Sequence, residues 1–328
     1  MTPPTPPTPA TPATPAAAAA ATTATPSTGR GAAAPARPAP GSRRPRRRPA
    51  PYLFVLPALL LFAVFKLYPI GSSFVLSLHR TVGGTETFVG AGNYTRLLHD
   101  PLFRTALGNT AVILAVQVPL MLALATGLAV ALNSRLLHGR SILRLGFFLP
   151  VVTGLVAYGI VFSVLLNKDY GLVNWLLARV GAGPVPWLTD PLWAKVSLGL
   201  ALTWHYTGYN AVILLARLQS VPAELYDAAA VDGAGAWQAF RHVTLPGLRP
   251  ALLLTAVLST IGTLQLFDEP YVLTGGGPDN ATLTIGVYLY QNAFTYFDFG
   301  YASAIAYALA VLIGILGLIQ FRVLGEKE

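Results

Sequence analysis

The sequence FRTALGNTAVILAVQVPLMLALATGLAVAL, residues 103–132, carries one charged side chain, Arg104, close to its beginning. An α-helix needs about 20 consecutive, mostly apolar residues to cross the hydrocarbon core of a bilayer. This stretch is longer than that, so we predict that it forms a membrane-spanning helix.

The composition of the whole chain agrees with this prediction. Of its 328 residues, 54% are hydrophobic and only 11% are charged, and the mean hydropathy is +0.57. A soluble domain carries about 25% charged residues, so the apolar surplus must face lipid. Five further apolar stretches approach spanning length. We predict an all-α, polytopic membrane protein with six transmembrane helices, at Tyr52–Leu78, Phe103–Leu132, Leu143–Leu166, Trp193–Leu218, Pro250–Phe267 and Tyr301–Leu324.

The first 50 residues have a different character. They are rich in Pro, Ala and Thr and contain no large apolar side chain between Thr2 and Pro51. Such a segment cannot bury enough surface to offset its ordering entropy, so we predict that residues 1–50 are disordered and that residues 51–328 form the transmembrane domain. Nucleic-acid binding is disfavoured, because the basic residues of this tail are not interleaved with aromatic ones.

The orientation follows from the positive charges. The arginine cluster at residues 43–48 directly precedes the first apolar stretch, and a positive flank stays in the cytoplasm. With six spans, both termini are then cytoplasmic. This arrangement leaves 15 Lys and Arg residues inside and 6 outside.

Several chemistries are disfavoured by the residues present. The chain has no cysteine, and its five histidines lack metal-ligand spacing. No Gly-Lys pair occurs that could complete a phosphate-binding loop, and no nucleophile–base cluster is recognisable. We therefore expect no metal, no cofactor, no ATP binding by this chain and no enzymatic activity.

Residues 221–250, VPAELYDAAAVDGAGAWQAFRHVTLPGLRP, form an unusual loop between the fourth and fifth spans. Pro222 opens a short helix, and the helix dipole favours Glu224 and Asp227 in its first turns. Gly233 can adopt the left-handed conformation that ends a helix.

A second short helix, Ala236–His242, should follow and present Trp237 and Phe240. We expect Pro246 and Pro250 to stop it and to begin the fifth span. A loop this apolar is typical of a surface that binds another protein.

The loop resembles the EAA loop of binding-protein-dependent ABC importer permeases. The matching residues are Asp227-Ala228-Ala229, Gly233 and Val243-Thr244-Leu245-Pro246, with Asp227 where the family has Glu. Other segments resemble the carbohydrate-uptake branch, and in particular the first permease subunit of maltose and glycerol-3-phosphate type systems. They are Phe88-Val89-Gly90 with Asn93-Tyr94, Asn109-Thr110, Phe148-Leu149-Pro150, and Thr274-Gly275-Gly276-Gly277-Pro278 with Phe299-Gly300-Tyr301.

The resemblance implies a multi-pass protein of the bacterial cell membrane, with the loop acting as a coupling helix. Its partners would be an ATP-binding subunit, as a dimer, a second permease subunit and an extracytoplasmic solute-binding protein. The resemblance implies that the residues that couple this chain to the ATPase are Asp227, Ala228, Ala229, Gly233, Trp237, Phe240, Leu245 and Pro246.

Polar side chains on the spans that flank the loop are candidates for a solute path. The fourth span carries Tyr206, Tyr209 and Asn210, and the fifth carries Ser259, Thr263 and Gln265. Tyr206 with Tyr209, and Ser259 with Thr263, each share a helix face. Polar groups are costly in lipid and should face an interior cavity. Helix–helix packing by the same hydroxyls is an equally strong alternative.

We therefore predict the permease subunit of an ATP-driven importer for a sugar or sugar-like solute. The alternative is an ion-coupled secondary transporter, which needs an intramembrane carboxylate or histidine relay. No predicted span has a carboxylate at its centre, and Asp268 and Glu269 lie at the end of a span. We also expect the aromatic stretch from Tyr288 to Tyr301 to lie on the outer surface.

Overall fold

The structure, a computed structural model, describes residues 50–82, 85–134 and 137–324. The predicted disordered tail, apart from Ala50, lies outside these residues. The helices are α1 (Ala50–Phe62), α2 (Tyr68–Ser77), α3 (Gly92–His99), α4 (Pro101–Asn133), α5 (Arg140–Val152), α6 (Leu155–Leu165), α7 (Leu172–Arg179), α8 (Pro191–Leu218), α9 (Ala223–Val231), α10 (Ala236–Ala239), α11 (Leu245–Leu264), α12 (Asp268–Thr274), α13 (Ile285–Tyr290) and α14 (Phe299–Leu324). Three π-helical turns join helices, at Ala63–Leu67, Phe240–Thr244 and Gln291–Thr295.

Long apolar helices dominate, as predicted. Among the described residues, four helical stretches are long and apolar enough to cross a membrane, and a fifth is added if α5 and α6 form one broken span. The four are Val55–Ser77, Pro101–Asn133, Ala236–Leu264 and Phe299–Val323. Helix α8 is 28 residues long but more polar. The six-span count and the cytoplasmic position of the termini stay predictions.

A small hairpin follows α2. Strands β1 (His79–Val82) and β2 (Thr85–Phe88) pair antiparallel. The amide of Asn93 donates to the carbonyl oxygens of Ser77 and His79, both at 2.8 Å, and the hydroxyls of Tyr94 and Ser77 are 2.8 Å apart. The Asn-Tyr pair therefore fixes the end of α2 to α3.

The predicted third span is not one straight helix. Helices α5 and α6 meet at an angle of 97°. Pro150 has no backbone N–H to donate to the preceding turn, and Gly154 is a poor helix former, so the chain breaks between Val152 and Leu155. At Gly208 of α8, an added Cβ would overlap the carbonyl oxygen of Phe147. Helix α5 can therefore approach α8 this closely only at a glycine.

Our expectation that Pro246 and Pro250 stop the second loop helix was wrong. The chain is helical without interruption from Ala236 to Leu264. In the π-helical turn Phe240–Thr244, the N–H of Leu245 bonds to the carbonyl of Phe240, five residues back, and the helix continues through Pro246 although proline has no N–H to donate. At 1.5 Å per residue, this helix is roughly 40 Å long.

The aromatic stretch from Tyr288 to Tyr301 is exposed at Phe294, Tyr296 and Phe297 and buried at its two ends, and its place on the outer surface stays a prediction. Tyr288 and Asn292 are buried within the fold. The amide of Asn109 on α4 donates to the carbonyl of Leu283 at 3.1 Å, and the Thr110 hydroxyl accepts from the N–H of Ile285 at 3.2 Å. Polar side chains of a long apolar helix thus hold this segment against the bundle.

The carboxylate of Asp100 also holds the segment around Tyr288 against the bundle. One carboxylate oxygen accepts hydrogen bonds from the hydroxyls of Tyr288 and Tyr301, both at 2.5 Å, and the other caps α4 by accepting from the N–H of Leu102 at 2.9 Å. Burial would raise the pKa of Asp100, but the hydrogen bonds from Tyr288, Tyr301 and the backbone amides of Phe103 and Leu102 outweigh it and hold the pKa below its usual value. The ionised carboxylate therefore stabilises the fold.

We predict that Asp100→Asn lowers the thermal unfolding midpoint of the detergent-purified protein, because an amide nitrogen cannot accept from a phenol. Each lost bond contributes about 1 kcal/mol or somewhat more. Since the folded-state pKa is lowered, the advantage of wild type over the variant should be full above about pH 4 and should vanish as the pH falls through the folded-state pKa.

The matched control is Asp190→Asn. Asp190 caps α8 in the same way, accepting from the N–H of Leu192 at 2.9 Å. Among the described residues it accepts no phenol, so its variant should have the smaller effect. Equal effects of the two variants would contradict the role given to Asp100.

Candidate functional site

Helices α4, α8 and α11 enclose a cavity of about 240 Å³. Its walls are formed by Gln117, Met121, Leu202, Tyr206, Tyr209, Asn210, Leu258, Ser259, Gly262, Thr263 and Leu266. The structure thus brings together five of the six residues suggested for the solute path. The sixth, Gln265, follows the last turn of α11, is exposed and does not line the cavity.

The polar groups of the cavity differ in how they are bonded. The Asn210 amide lies 3.3 Å from the carbonyl oxygen of Tyr206 and 3.4 Å from the Ser259 hydroxyl, which links α8 to α11. The Tyr206 hydroxyl donates to a carboxylate oxygen of Glu269 at 3.0 Å. The Tyr209 side chain is 38% exposed, and its hydroxyl makes no hydrogen bond with any described residue. Tyr209 can therefore offer its hydroxyl to a bound molecule without losing an internal contact.

Glu269 is a residue whose importance the sequence did not reveal. It is only 2% exposed, although it lies next to the end of the fifth span. Its helix, α12, packs against α6, and a Cβ at Gly159 of α6 would lie 2.9 Å from Val272. The available signal was an acidic pair directly before Pro270, which is typical of the start of a helix.

The loop at residues 221–250 has the helix–turn–helix form that its sequence predicts. Helix α9 begins after Pro222, and Gly233 is left-handed with φ +76°, as predicted. The hydroxyls of Tyr226 and Thr244 lie 3.0 Å apart and hold α9 against the π-helical turn. The Arg217 guanidinium donates to the carbonyl oxygen of Gly247 at 3.0 Å, which connects the end of α8 to the start of α11.

This loop exposes large apolar side chains. Val231 is 88% exposed, Trp237 is 71% exposed and Leu225 is 50% exposed. The rings of Trp237 and Phe240 stack with their centroids 5.5 Å apart. We call these four residues, with Asp227, the loop surface. The other residues implied in coupling lie around it: Ala228 and Pro246 are exposed, Leu245 is 37% exposed, and Ala229 is half-buried.

Asp227 is also exposed, and its carboxylate makes no hydrogen bond or ion pair with any residue that the structure describes. Clustered exposed aromatic and apolar side chains are typical of a surface that binds another protein. Long apolar helices, an interior cavity with polar groups in its wall and a loop that exposes apolar side chains are together typical of the membrane subunit of a multi-component transporter.

Comparison with known proteins places the chain in a family. Residues 120–325 match the binding-protein-dependent transport system inner membrane component family, and the chain belongs to it. It is a permease subunit of an ABC importer, a multi-pass protein of the cell membrane, and not an enzyme. The family resemblance predicted from the loop is confirmed, and membership favours the importer over the ion-coupled alternative.

Characterised relatives are similar over nearly their whole length. The chain is 44% identical to the lactose transport system permease protein LacF of Rhizobium radiobacter, over 84% of this chain and 94% of the relative. It is 38% identical to the arabinooligosaccharides transport system permease protein AraP of Bacillus subtilis, over 85% and 90%. It is 36% identical to the trehalose/maltose transport system permease protein MalF of Thermococcus litoralis, over 83% and 92%.

Solved structures share the fold. A crystal structure of a bacterial ABC transporter that imports the acidic polysaccharide alginate matches with a TM-score of 0.75 at 22% identity, covering 84% of this chain and 94% of that one. The same transporter type in complex with an alginate pentasaccharide-bound periplasmic protein matches with a TM-score of 0.76, also at 22% identity, covering 85% of this chain and 96% of that one. The likeness at this identity concerns the fold.

We predict that Tyr209→Phe weakens solute transport while leaving thermal stability unchanged, because the hydroxyl has no internal partner to lose. One lost hydrogen bond corresponds to about 1 kcal/mol of solute binding, or roughly fivefold. Uptake in proteoliposomes and the unfolding midpoint test this together. Lowered stability with unchanged uptake would instead support the packing interpretation.

Proposed function

We propose that the chain imports a neutral sugar, delivered by an extracytoplasmic binding protein and driven by separate ATP-hydrolysing subunits. The cavity carries this proposal. Its walls combine two aromatic rings with hydroxyl and amide groups, and every residue that lines it is uncharged. Aromatic faces with such polar partners suit polyhydroxylated rings.

The size of the cavity limits what this chain binds alone. Small-molecule sites usually measure about 300–1,000 Å³, so a cavity of about 240 Å³ accommodates about one sugar ring. A longer solute needs space from a second permease subunit, which we propose as the partner that completes the path. The names of the relatives, which include lactose, arabinooligosaccharides and trehalose or maltose, support a sugar as the solute.

We propose that the loop surface is the binding site for the ATPase. It lies on the cytoplasmic side if the arginine tail is cytoplasmic and six spans follow, while Gly275–Pro278 lies outside. In this arrangement Trp237 and Phe240 provide apolar contact area, and Asp227 is free to meet a basic group of the ATPase. The ATP-binding subunit would act as a dimer, with one copy on each permease.

We predict that Gly233→Val uncouples the loop from the ATPase. A β-branched residue in the left-handed conformation is strained by about 1–2 kcal/mol, enough to weaken retention of the ATPase about tenfold. Asp227→Ala should reduce retention as well. Co-purification of the ATP-binding subunit and solute-stimulated ATP hydrolysis in the assembled complex measure both effects.

Gly181→Val is the matched control. Gly181 is left-handed too, with φ +80°, but it lies in the connection after α7, away from the loop. It should insert and retain the ATPase normally. Full assembly and full coupling in both the Gly233 and Asp227 variants would overturn the coupling role of the loop.

A further inference from the structure

A buried carboxylate stands directly behind the wall of the cavity. Glu269 is 2% exposed, and one of its oxygens accepts the hydrogen of the Tyr206 hydroxyl at 3.0 Å. Tyr206 itself lines the cavity. The carboxylate therefore reaches the cavity through one side chain, although it does not line the cavity.

No cation compensates this carboxylate among the described residues, whose one ion pair joins Arg96 to Asp298. The phenol of Tyr206 donates to it, and the phenol of Tyr158, whose own hydroxyl makes no hydrogen bond with any described residue, interacts with it electrostatically. The His205 ring stacks on Tyr158 with centroids 4.4 Å apart. A buried carboxylate without a cation stabilises a fold less than an apolar side chain of similar size, so packing alone does not explain its presence.

The hydrogen bond fixes what Tyr206 can offer to a solute. A phenol has one hydrogen to donate, and here that hydrogen points to Glu269. The phenol oxygen is left as an acceptor only. A sugar hydroxyl can donate to it, whereas an ionised carboxylate, sulfonate or phosphate group cannot, because it has no hydrogen to donate.

We propose that Glu269 is a positioning residue that holds Tyr206 as a hydrogen-bond acceptor for the solute. The cavity then selects solutes with a donor hydroxyl at that point and disfavours anionic groups there. This inference rests on the proposed function and adds the specificity determinant of the same site. The neighbouring Asn210, bonded to the Tyr206 carbonyl and to Ser259, keeps the helix that carries Tyr206 in register with α11.

The test is a double-mutant cycle in the complete transporter, reconstituted in proteoliposomes with its binding protein. The readout is the amount of sugar imported per ATP hydrolysed, with lactose, trehalose, maltose and arabinobiose as probes. Glu269→Leu removes the acceptor for the phenol hydrogen, and Tyr206→Phe removes the phenol. Each should lower the ratio about fivefold, and the double variant should lower it no further, since both act through one hydrogen bond to the solute.

Glu269→Gln keeps a side-chain oxygen that can accept from Tyr206, so it should stay within about twofold of wild type. Asp169→Asn is the control for loss of an acidic group, because Asp169 is exposed in the connection before α7. It should leave the ratio unchanged. If Glu269→Leu lowers the ratio as much in the Tyr206→Phe background as alone, or leaves it unchanged in wild type, the positioning role is overturned.

A second measurement covers the case in which Glu269→Leu does not assemble. Lactose analogues with one hydroxyl replaced by fluorine lose a donor at one position and gain none. Wild type and Glu269→Gln should discriminate against one such analogue, and Tyr206→Phe should not. Equal discrimination by Tyr206→Phe would contradict the inference. Failure of wild type to import any sugar would instead overturn the proposed function, and the inference with it.

Discussion

The continuous helix from Ala236 to Leu264 is the constraint on which the rest of the structure depends. One end of this helix carries Trp237 in the loop surface, and the other carries Thr263 in the cavity wall. Two prolines lie within it, and either could have separated the loop from the membrane. The π-helical turn at Phe240–Thr244 lets the chain pass the first of them while staying helical. If the loop surface binds the ATPase as we propose, its displacement would be passed to the cavity along this one helix.

Hydrogen bonds tie the neighbouring helices to this one and to each other. Helix α8 contributes the opposite cavity wall and ends at Arg217, which bonds to Gly247 at the base of the loop. At the other end of the bundle, Asp100 ties α4 to the segment around Tyr288 and to Tyr301 of α14. The cavity wall is thus formed by helices that Asp100 holds together near the start of α4 and that Arg217 ties to the base of the loop.

The sequence predicted what depends on local pattern. Apolar stretches placed the helices, spacing placed Tyr206 and Tyr209 on one face, and glycine chemistry predicted the left-handed Gly233. It did not predict what depends on long-range packing. Glu269 is buried because α12 packs against both α6 and α8, and no local sequence pattern predicts those contacts. The continuity through Pro246 was missed because a π-helical turn has no simple sequence signature.

The most direct test follows a probe in the cavity while the ATPase is trapped with nucleotide. The chain has no cysteine, so Ser259→Cys introduces a single thiol at the cavity wall. In the assembled complex, we expect ATP with vanadate to change the rate at which an impermeant thiol reagent labels this position. Insertion of two glycines after Thr244 should abolish that change while the ATPase is still retained, because it breaks the helix between loop and cavity. A nucleotide-dependent change that persists in the insertion variant would contradict the account.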